Sequence, residues 1–391
     1  MNIECRPQDA GLTPQQVDAI WFAACDLYST GLHPALTLCL RRNGKVVLNR
    51  ALGNLKPGVP MKPEVPVCLF SASKAISALL VHKLVEMNKL DLDDRISDYI
   101  PEFAPHGKDR VTVRQLLAHR AGIPTIMEKN ADPALLFDWD AVIERLCAAK
   151  PFDPHFERQS YHAITGGFIV GELVRRVSGL GLREALARWI AEPLGCTTLD
   201  YGLKPGLTAP PNSLAGQRTP WLINKLIARV LGGTLERCVE VSNDPRFARA
   251  VIPAGNIYAS ADDACRVYQM LLNGGVYNGT RVFKQETIAE AVRPTGPAKF
   301  DGMLLVPVRF SAGFWLGERR LSLYGLNTPH AYGHMGFINI AAWADPQRGL
   351  SCALLTTGKS LAFAATLRFL QFTMAVSREC PPMPDFRPLV H

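Results

Sequence analysis

The chain has no run of 18 apolar residues, and its opening stretch, "MNIECRPQDAGLTPQQ", lacks a cationic segment followed by an apolar one. Membrane spanning and export are therefore not expected, no membrane partner is foreseen, and the expected location is the cytoplasm. Ten cysteines are present, but none forms a Cys-x-x-Cys pair and most sit among apolar neighbours, as in "WFAACDLY" and "LTLCLRR". That pattern argues against a zinc site and a disulfide frame, and for buried free thiols in a reducing compartment. The nine histidines show no His-Glu-x-x-His spacing, so neither a metal nor a cofactor is expected. Lys and Arg outnumber Asp and Glu by 43 to 35, yet they are scattered, and tight pairs such as Arg41-Arg42, Arg175-Arg176 and Arg319-Arg320 stay short. Without a basic stripe interleaved with aromatics, nucleic acid is not an expected partner.

What the sequence does contain is material for a large core: 391 residues, 48% hydrophobic, with 31 Gly and 29 Pro to punctuate loops. Thr13 is placed to cap a helix running to about Tyr28 and stopping before Gly31. Two strand-like runs, "ALTLCLRR" and "KVVLNRALGN", then meet at Asn43-Gly44, a strong hairpin signal. Near the other end, "FINIAAWADPQRGLSCALLTTG" repeats the arrangement around residues 345–349, followed by helical spacing over 361–376. Between them lie expected helices over 72–87, 112–119, 140–149, 165–177 and 182–190. The economical reading is an α+β chain: an antiparallel sheet flanked by helices, formed by residues 1–75 and 250–391, with a mostly helical domain over 76–249 inserted into it. Residues 203–245 form a lobe without an evident role, and no repeat or low-complexity segment stands out.

The stretch "CLFSASKAISALLVHKLVEM" places two serines beside one lysine. In a helix beginning near Ser71, Lys74 stands at i+3 on the same face, while Ser73 points about 100° away. A serine hydroxyl is a poor nucleophile until a neighbouring base takes its proton, and desolvation or nearby positive charge fits a lysine for that task. The helix N-terminus adds a field that favours negative charge on the serine oxygen. Ser-x-x-Lys alone leaves two readings open, a nucleophile and an ordinary helix cap.

Context separates them. "FSASK", "LVEMNKLDLDDRISDYIPEF", "VTVRQLLAHRAGIP", "YHAITGGFIVGELVRRVSG", "NDPRFARAVIPAGNIYASADDACRVYQMLLNGG" and "YGHMGFINIAAWADPQRGL" follow one another in order. This series resembles the serine β-lactamase-like family, which includes class C β-lactamases, D-alanyl-D-alanine carboxypeptidases and family VIII carboxylesterases. It covers most of residues 15 to 375, outside 203–240 and the last fifteen residues. The resemblance implies the β-lactamase/transpeptidase-like fold with the active site between its two parts. It implies Ser71 as nucleophile, Lys74 and Tyr161 as proton carriers, and the backbone N–H groups of Ser71 and Phe337 as the oxyanion hole. A phenol of pKa about 10 needs help to act as a base, which a Lys74 ammonium would give.

The chain departs from the family at two informative places. Tyr161-His162-Ala163 stands where β-lactamases and carboxypeptidases have Tyr-x-Asn, so the amide that contacts the acyl portion of β-lactams and peptides is lost. His334-Met335-Gly336 replaces Lys-Thr-Gly: His334 would supply hydrogen bonding or positive charge near Tyr161, Met335 lacks the carboxylate-binding hydroxyl, and Gly336 lets substrate approach the strand. His162 is expected beside the site, and Asn256 in "IPAGN" is a candidate substrate contact. Ser260 is placed to cap the next helix. Trp221, Phe152 and Trp315 are candidates for an apolar acyl pocket, with plain core as the competing reading. Asp93-Asp94 reads as a loop feature rather than paired catalytic carboxylates.

These features together lead to a serine hydrolase that cleaves carboxylic esters of small acyl groups, with a small-molecule ester as partner and an oligomeric state the sequence leaves open. An amidase, a β-lactamase, a D-amino-acid peptidase and an acyltransferase use the same acyl-enzyme and are the competing activities. A non-enzymatic scaffold is disfavoured by the intact Ser71, Lys74 and Tyr161.

Overall fold

In the computed structural model, which describes residues 3–125, 133–214 and 221–388, Thr13 closes a capping box. Its hydroxyl accepts from Gln16 N at 3.2 Å and Gln16 Oε1 accepts from Thr13 N at 2.9 Å. Two N–H groups that the first helical turn leaves without partners are thereby satisfied, and α1 runs from Pro14 to Ser29. The hairpin that follows joins β1, Ala35–Arg42, to β2, Lys45–Lys56. Asn43 and Gly44 both adopt positive φ, 50° and 78°, as a tight hairpin turn requires.

Further strands are β3, Val59–Pro60, β4, Trp315–Leu316, β5, Tyr332–Met335, β6, Ala341–Asp345, and β7, Leu350–Thr356. They form one seven-stranded sheet in the order β4-β5-β6-β7-β1-β2-β3, every neighbour antiparallel. Strands from the two ends of the chain thus meet at β1 and β7. Helix α2 spans Ser73–Glu86, α3 Thr165–Ser178, α4 Trp221–Leu231, α5 Leu235–Asn243, α6 Ala261–Leu272, and α7 Phe363–Glu379. The expected helix over 182–190 ends early, at Leu186, and continues as a π turn over Ala187–Ala191. Part of the 203–245 lobe lies outside the described residues; the rest includes the helical pair α4 and α5.

Strand β1 is buried along its whole length because both sheet faces are covered. Leu36, Leu38 and Leu40 point to one core, shared with Phe372 of α7 and Ile20 of α1. Ala35 and Cys39 point to the other, which continues through Leu79 of α2 and Phe168 of α3 without a break. That alternation is the period-two signature of a strand. All ten cysteines are free thiols, seven of them buried. Among the described residues, no helix is long and apolar enough to cross a membrane.

One buried ion pair ties sheet to helix. Arg41 of β1 reaches Asp262 of α6 at 2.5 Å, and Arg266 reaches the other oxygen of the same carboxylate at 2.8 Å. Burial raises the Asp262 pKa, but the two guanidiniums outweigh it and hold the carboxyl below its usual range. Replacing Asp262 by Ala leaves Arg41 charged, buried and unpaired, so a loss of about 3–5 kcal/mol is expected in denaturant unfolding. In the unaltered protein the Asp262 contribution is fully present above the unfolded carboxyl pKa of about 3.9. It is lost as pH falls through the lowered folded value, so the stability gap between the two proteins should close in acid.

Candidate active site

Short strand segments anchor the turn that carries Ser71. Val67–Cys68 pairs with Ile257–Ala259, which also pairs with Asp200–Tyr201. Leu69 N donates to Ile257 O at 2.8 Å, and Ile257 N donates to Ser73 Oγ at 3.0 Å. Ser73 is therefore a buried brace, and its hydroxyl is occupied. Ser71 lies in a 3₁₀ turn, Phe70–Ala72, just before α2. Residues three apart eclipse in such a turn, and Lys74 Nζ stands 2.9 Å from Ser71 Oγ. Phe70, immediately before the serine, is held at φ 47°, a left-handed conformation that is costly for a bulky residue.

Lys74 Nζ also donates to the Ala254 carbonyl at 3.0 Å. Burial drives its pKa well below the ordinary ammonium value. Desolvation is the cause of this shift. The Tyr161 ring lies beside it, with Nζ 5.0 Å from the ring centroid. Burial raises the Tyr161 phenol above its ordinary value, partly offset by its hydrogen bond with Ser71. Burial thus pushes Lys74 toward its free amine and favours the protonated phenol, which fits the lysine reading of the serine's base and not a phenolate supported by an ammonium.

Tyr161 is positioned from three sides. Its N–H donates to Asp301 Oδ1 at 3.0 Å, and the same oxygen accepts from Met303 N and Leu304 N at 2.9 and 3.0 Å. The ring packs against His119 at 4.7 Å and against His334 at 6.0 Å between centroids. His119 was quoted in the sequence motifs but not singled out; its Nδ1 accepts from His162 N at 3.1 Å, and burial keeps it neutral. His162 Nε2 in turn accepts from Ile123 N at 3.1 Å, and burial lowers its pKa to about 3. His162 is a support behind Tyr161, not a group facing Ser71.

His334 Nδ1 donates to Met335 O at 2.7 Å, and burial lowers its pKa to about 3. It brings hydrogen bonding without the positive charge considered from sequence. Met335 turns away and packs against the core shared by α1 and α7. Gly336 is where the strand end meets the nucleophile turn: a Cβ there would lie 2.4 Å from Leu69 O and 2.6 Å from Ile340 Cγ2. Its absence lets Phe337 follow close to Ser71, and the Phe70 and Phe337 rings pack at 5.5 Å. Among the described residues, neither the Ser71 nor the Phe337 N–H has a hydrogen-bond partner. Lys359 Nζ sits 4.8 Å from the Phe70 ring, a buried amine beneath the residue that precedes the serine.

Other expectations are corrected. Asn256 is fully buried; Oδ1 accepts from Ile252 N at 2.8 Å, and Nδ2 donates to Phe247 O at 2.9 Å and Ala250 O at 2.8 Å. Its amide is spent on bracing a loop, with nothing left for substrate. Phe152 and Trp221 are 56% and 71% exposed and build no pocket; Trp315 is half-buried against Phe310 and His334. Ser260 caps α6 as expected, accepting from Asp263 N at 3.1 Å, and Asp93 forms an exposed ion pair with Arg114.

The apolar pocket has different walls. A cavity of about 340 Å³ opens beside Ser71, Phe70 and Phe337. Its far side is the α4–α5 hairpin, contributing Leu231, Gly232, Gly233, Thr234, Cys238 and Val241. Leu136, Ile164 and Phe247 complete it. Among its lining residues neither Lys74 nor Tyr161 is found. The lobe that the sequence left without a role therefore forms the wall; the only signal was the apolar run "LINKLIARVL" ending in Gly-Gly.

Comparison with known proteins agrees with this geometry. The chain belongs to the β-lactamase family, whose sequence model matches residues 26–372. It is 28% identical over 313 residues to the esterase/β-lactamase LipL of Mycobacterium tuberculosis, covering 76% of this chain and 70% of that one. A crystal structure described as a family VIII carboxylesterase superposes with a TM-score of 0.80 at 27% identity, covering 93% of this chain and 98% of that one. A penicillin-binding-protein homologue from Caulobacter crescentus superposes with a TM-score of 0.78 at 29% identity, covering 94% and 99%.

Gly336 offers a direct test of the site's assembly. In Gly336→Ala the new methyl collides with Leu69 O and Ile340, so the strand end must move off the nucleophile turn. Covalent labelling of the protein by a fluorophosphonate should slow by at least about tenfold. Labelling at the unaltered rate would mean that this contact does not organise the site.

Proposed function

We propose that this member of the β-lactamase family hydrolyses carboxylic esters through an acyl-enzyme on Ser71. The observation that carries the reading is the 2.9 Å approach of Lys74 Nζ to Ser71 Oγ, with burial holding the lysine toward its free-base form. Lys74 takes the Ser71 proton as Oγ attacks the ester carbonyl. The oxyanion that forms is met by the Ser71 and Phe337 N–H groups, oriented in advance and costing no reorganisation. Tyr161 then protonates the departing alkoxide and recovers a proton from Lys74. Water reverses the sequence: it gives its proton to the Tyr161–Lys74 pair, attacks the acyl carbonyl, and Ser71 leaves with its proton restored.

The position of the proton carriers orients the substrate. A leaving group must face Tyr161, and Tyr161 does not border the cavity, so the acyl chain occupies the cavity under α4 and α5. Esters are favoured over amides and β-lactams because the polar recognition groups are gone: Ala163 offers no amide, Met335 points into a core, and His334 is uncharged. An alkoxide also departs without the demanding nitrogen protonation of an amide. The relative described as a family VIII carboxylesterase supports ester hydrolysis, while the name esterase/β-lactamase covers both substrate classes. Transfer of the acyl group to an alcohol shares the first half-reaction and differs only in what replaces water.

Intact-mass spectrometry with p-nitrophenyl butyrate should show one acyl adduct, absent in Ser71→Ala and retained in Ser73→Ala. Turnover of Ser71→Ala should fall by at least about a thousandfold; an adduct that survives this substitution would end the assignment. Nitrocefin hydrolysis at a rate matching the best ester would overturn the preference for esters.

The acyl chain assignment makes a second prediction. Each methylene added to the acyl group should raise kcat/KM roughly fourfold, from about 0.8 kcal/mol per buried CH₂, until the cavity is filled. Val241→Phe should abolish that gain while sparing acetate esters, whereas dependence on alcohol length alone would reverse the assignment.

The pH profile has a defined sign. Because Lys74 is lowered and Tyr161 raised, kcat/KM should fall as pH drops through the Lys74 value and hold on the alkaline side while the phenol stays protonated. A flat profile from about pH 5 to 9, with acylation rate-limiting, would count against the pairing.

A further inference from the structure

Two neighbouring elements beside the cavity carry a concentrated set of exposed apolar side chains. On α4, Trp221 is 71% exposed, Leu222 61% and Leu226 37%; on the segment 299–308, Phe300 is 63% exposed, Val306 45% and Leu305 44%. Leu305 is held at φ 59°, so a large apolar side chain occupies a turn position that favours glycine or asparagine. The two elements touch: Arg229 Nη2 donates to Gly302 O at 2.9 Å, and Val230 and Leu231 pack in one cluster with Met303 and Leu304. Helical spacing places Trp221, Leu222, Lys225, Leu226 and Arg229 on one side of α4, opposite the buried Ile227.

The charge on this face has one sign. Lys225, Arg229 and Lys299 are exposed, and α4 contains no acid. The acid of the 299–308 segment, Asp301, is fully buried, with its carboxylate bound by the N–H groups of Tyr161, Met303 and Leu304. Aromatic and aliphatic side chains interleaved with Lys and Arg on an exposed helix face are the composition of an element that lies in a membrane interface. An eleven-residue helix is too short to span one.

We propose that this rim docks the protein peripherally on an anionic phospholipid surface. A second copy of the chain fits less well, because a two-fold contact through the same patch brings like charges together, and neither α4 nor the 299–308 segment has an exposed acid to answer them. Lipid phosphates answer the cations, and the acyl region receives the apolar side chains. This revises the expectation of no membrane partner, which rested on the lack of a spanning segment. The C-terminal end of α4 and the following Gly232-Gly233 line the cavity at Ser71, so a docked protein holds its cavity beside the lipid phase. That supply route for apolar esters rests on the esterase reading; the docking itself does not.

The test is co-sedimentation of the full chain with vesicles of phosphatidylcholine containing about a third phosphatidylglycerol, and with phosphatidylcholine alone. Binding is expected to the anionic vesicles, weakening as salt is raised, and falling by at least about tenfold in Leu222→Ser/Phe300→Ser. The unfolding temperature and the hydrolysis of a soluble acetate ester should stay unchanged in that double variant. Ser71→Ala should dock as well as the unaltered protein, so a failed esterase assay and a failed docking assay are separate results. Absence of binding at low salt, or equal binding by the double variant, would overturn the proposal. So would a dimer in light scattering that the double variant dissolves, which would assign the face to a second copy.

Discussion

The structure is organised around one costly act, the removal of a lysine amine from water. An ammonium ion buried without a counterion is strongly disfavoured, and the answer at Lys74 is a shift toward the free base. The fold has to keep that amine dry, and it does so with α2 sunk in the central core, Tyr161 laid alongside, and the Ala254 carbonyl taking one N–H. A carboxylate placed beside Lys74 would stabilise the ammonium and remove the base. The three histidines nearby are compatible for the same reason: His119, His162 and His334 are each neutralised by burial, so none competes for the proton.

A second constraint acts on the proposed oxyanion donors, which come from parts of the chain far apart in sequence. Ser71 arrives on a turn strained at Phe70, and Phe337 arrives at the end of an edge-proximal strand. Gly336 permits their approach by having no Cβ, and the packed rings of Phe70 and Phe337 hold it. Beneath Phe70 lies Lys359, whose Nζ donates to Thr356 O at 2.9 Å and whose pKa burial lowers to about 7. Strain at a nucleophile persists only where its surroundings over-determine it, and here an aromatic pair, a missing methyl and a buried lysine all act on the same turn.

Local relations were legible in the sequence and distant ones were not. Ser71 and Lys74 are three residues apart, so helical geometry alone separates Ser71 from Ser73, and the capping box at Thr13 and the turn at Asn43-Gly44 are equally local. The strands of one sheet could be assigned from both ends of the chain because their alternation survives in each. Asn256 misled because a polar side chain near the site can be spent on backbone four to nine residues away, which only the folded loop reveals. The cavity wall was missed because apolar spacing on α4 does not say which side faces in, and part of that helix faces out. Charge state was the hardest to read: the sequence names Lys74, Tyr161 and His334, but it is burial that pushes each of the three toward its uncharged form.

That neutrality links the chemistry to the substrate. Burial disfavours charge on Lys74, Tyr161 and His334 alike, so a substrate carboxylate placed beside them sheds its hydration with little in return. The groups that would orient a polar acyl portion are absent at Ala163 and turned away at Met335. Phe70, Leu136, Ile164, Phe247 and Phe337 give the neighbouring cavity apolar walls, with Thr234, Arg237 and Ser242 on its α5 side, so most of the binding energy available there goes to apolar groups. Polar losses on one side and apolar surface on the other act in the same direction: each penalises an anionic β-lactam or peptide and rewards an uncharged ester with a hydrocarbon acyl chain. On the proposed mechanism, the burial that fits Lys74 to act as a base also favours the substrate on which that base acts.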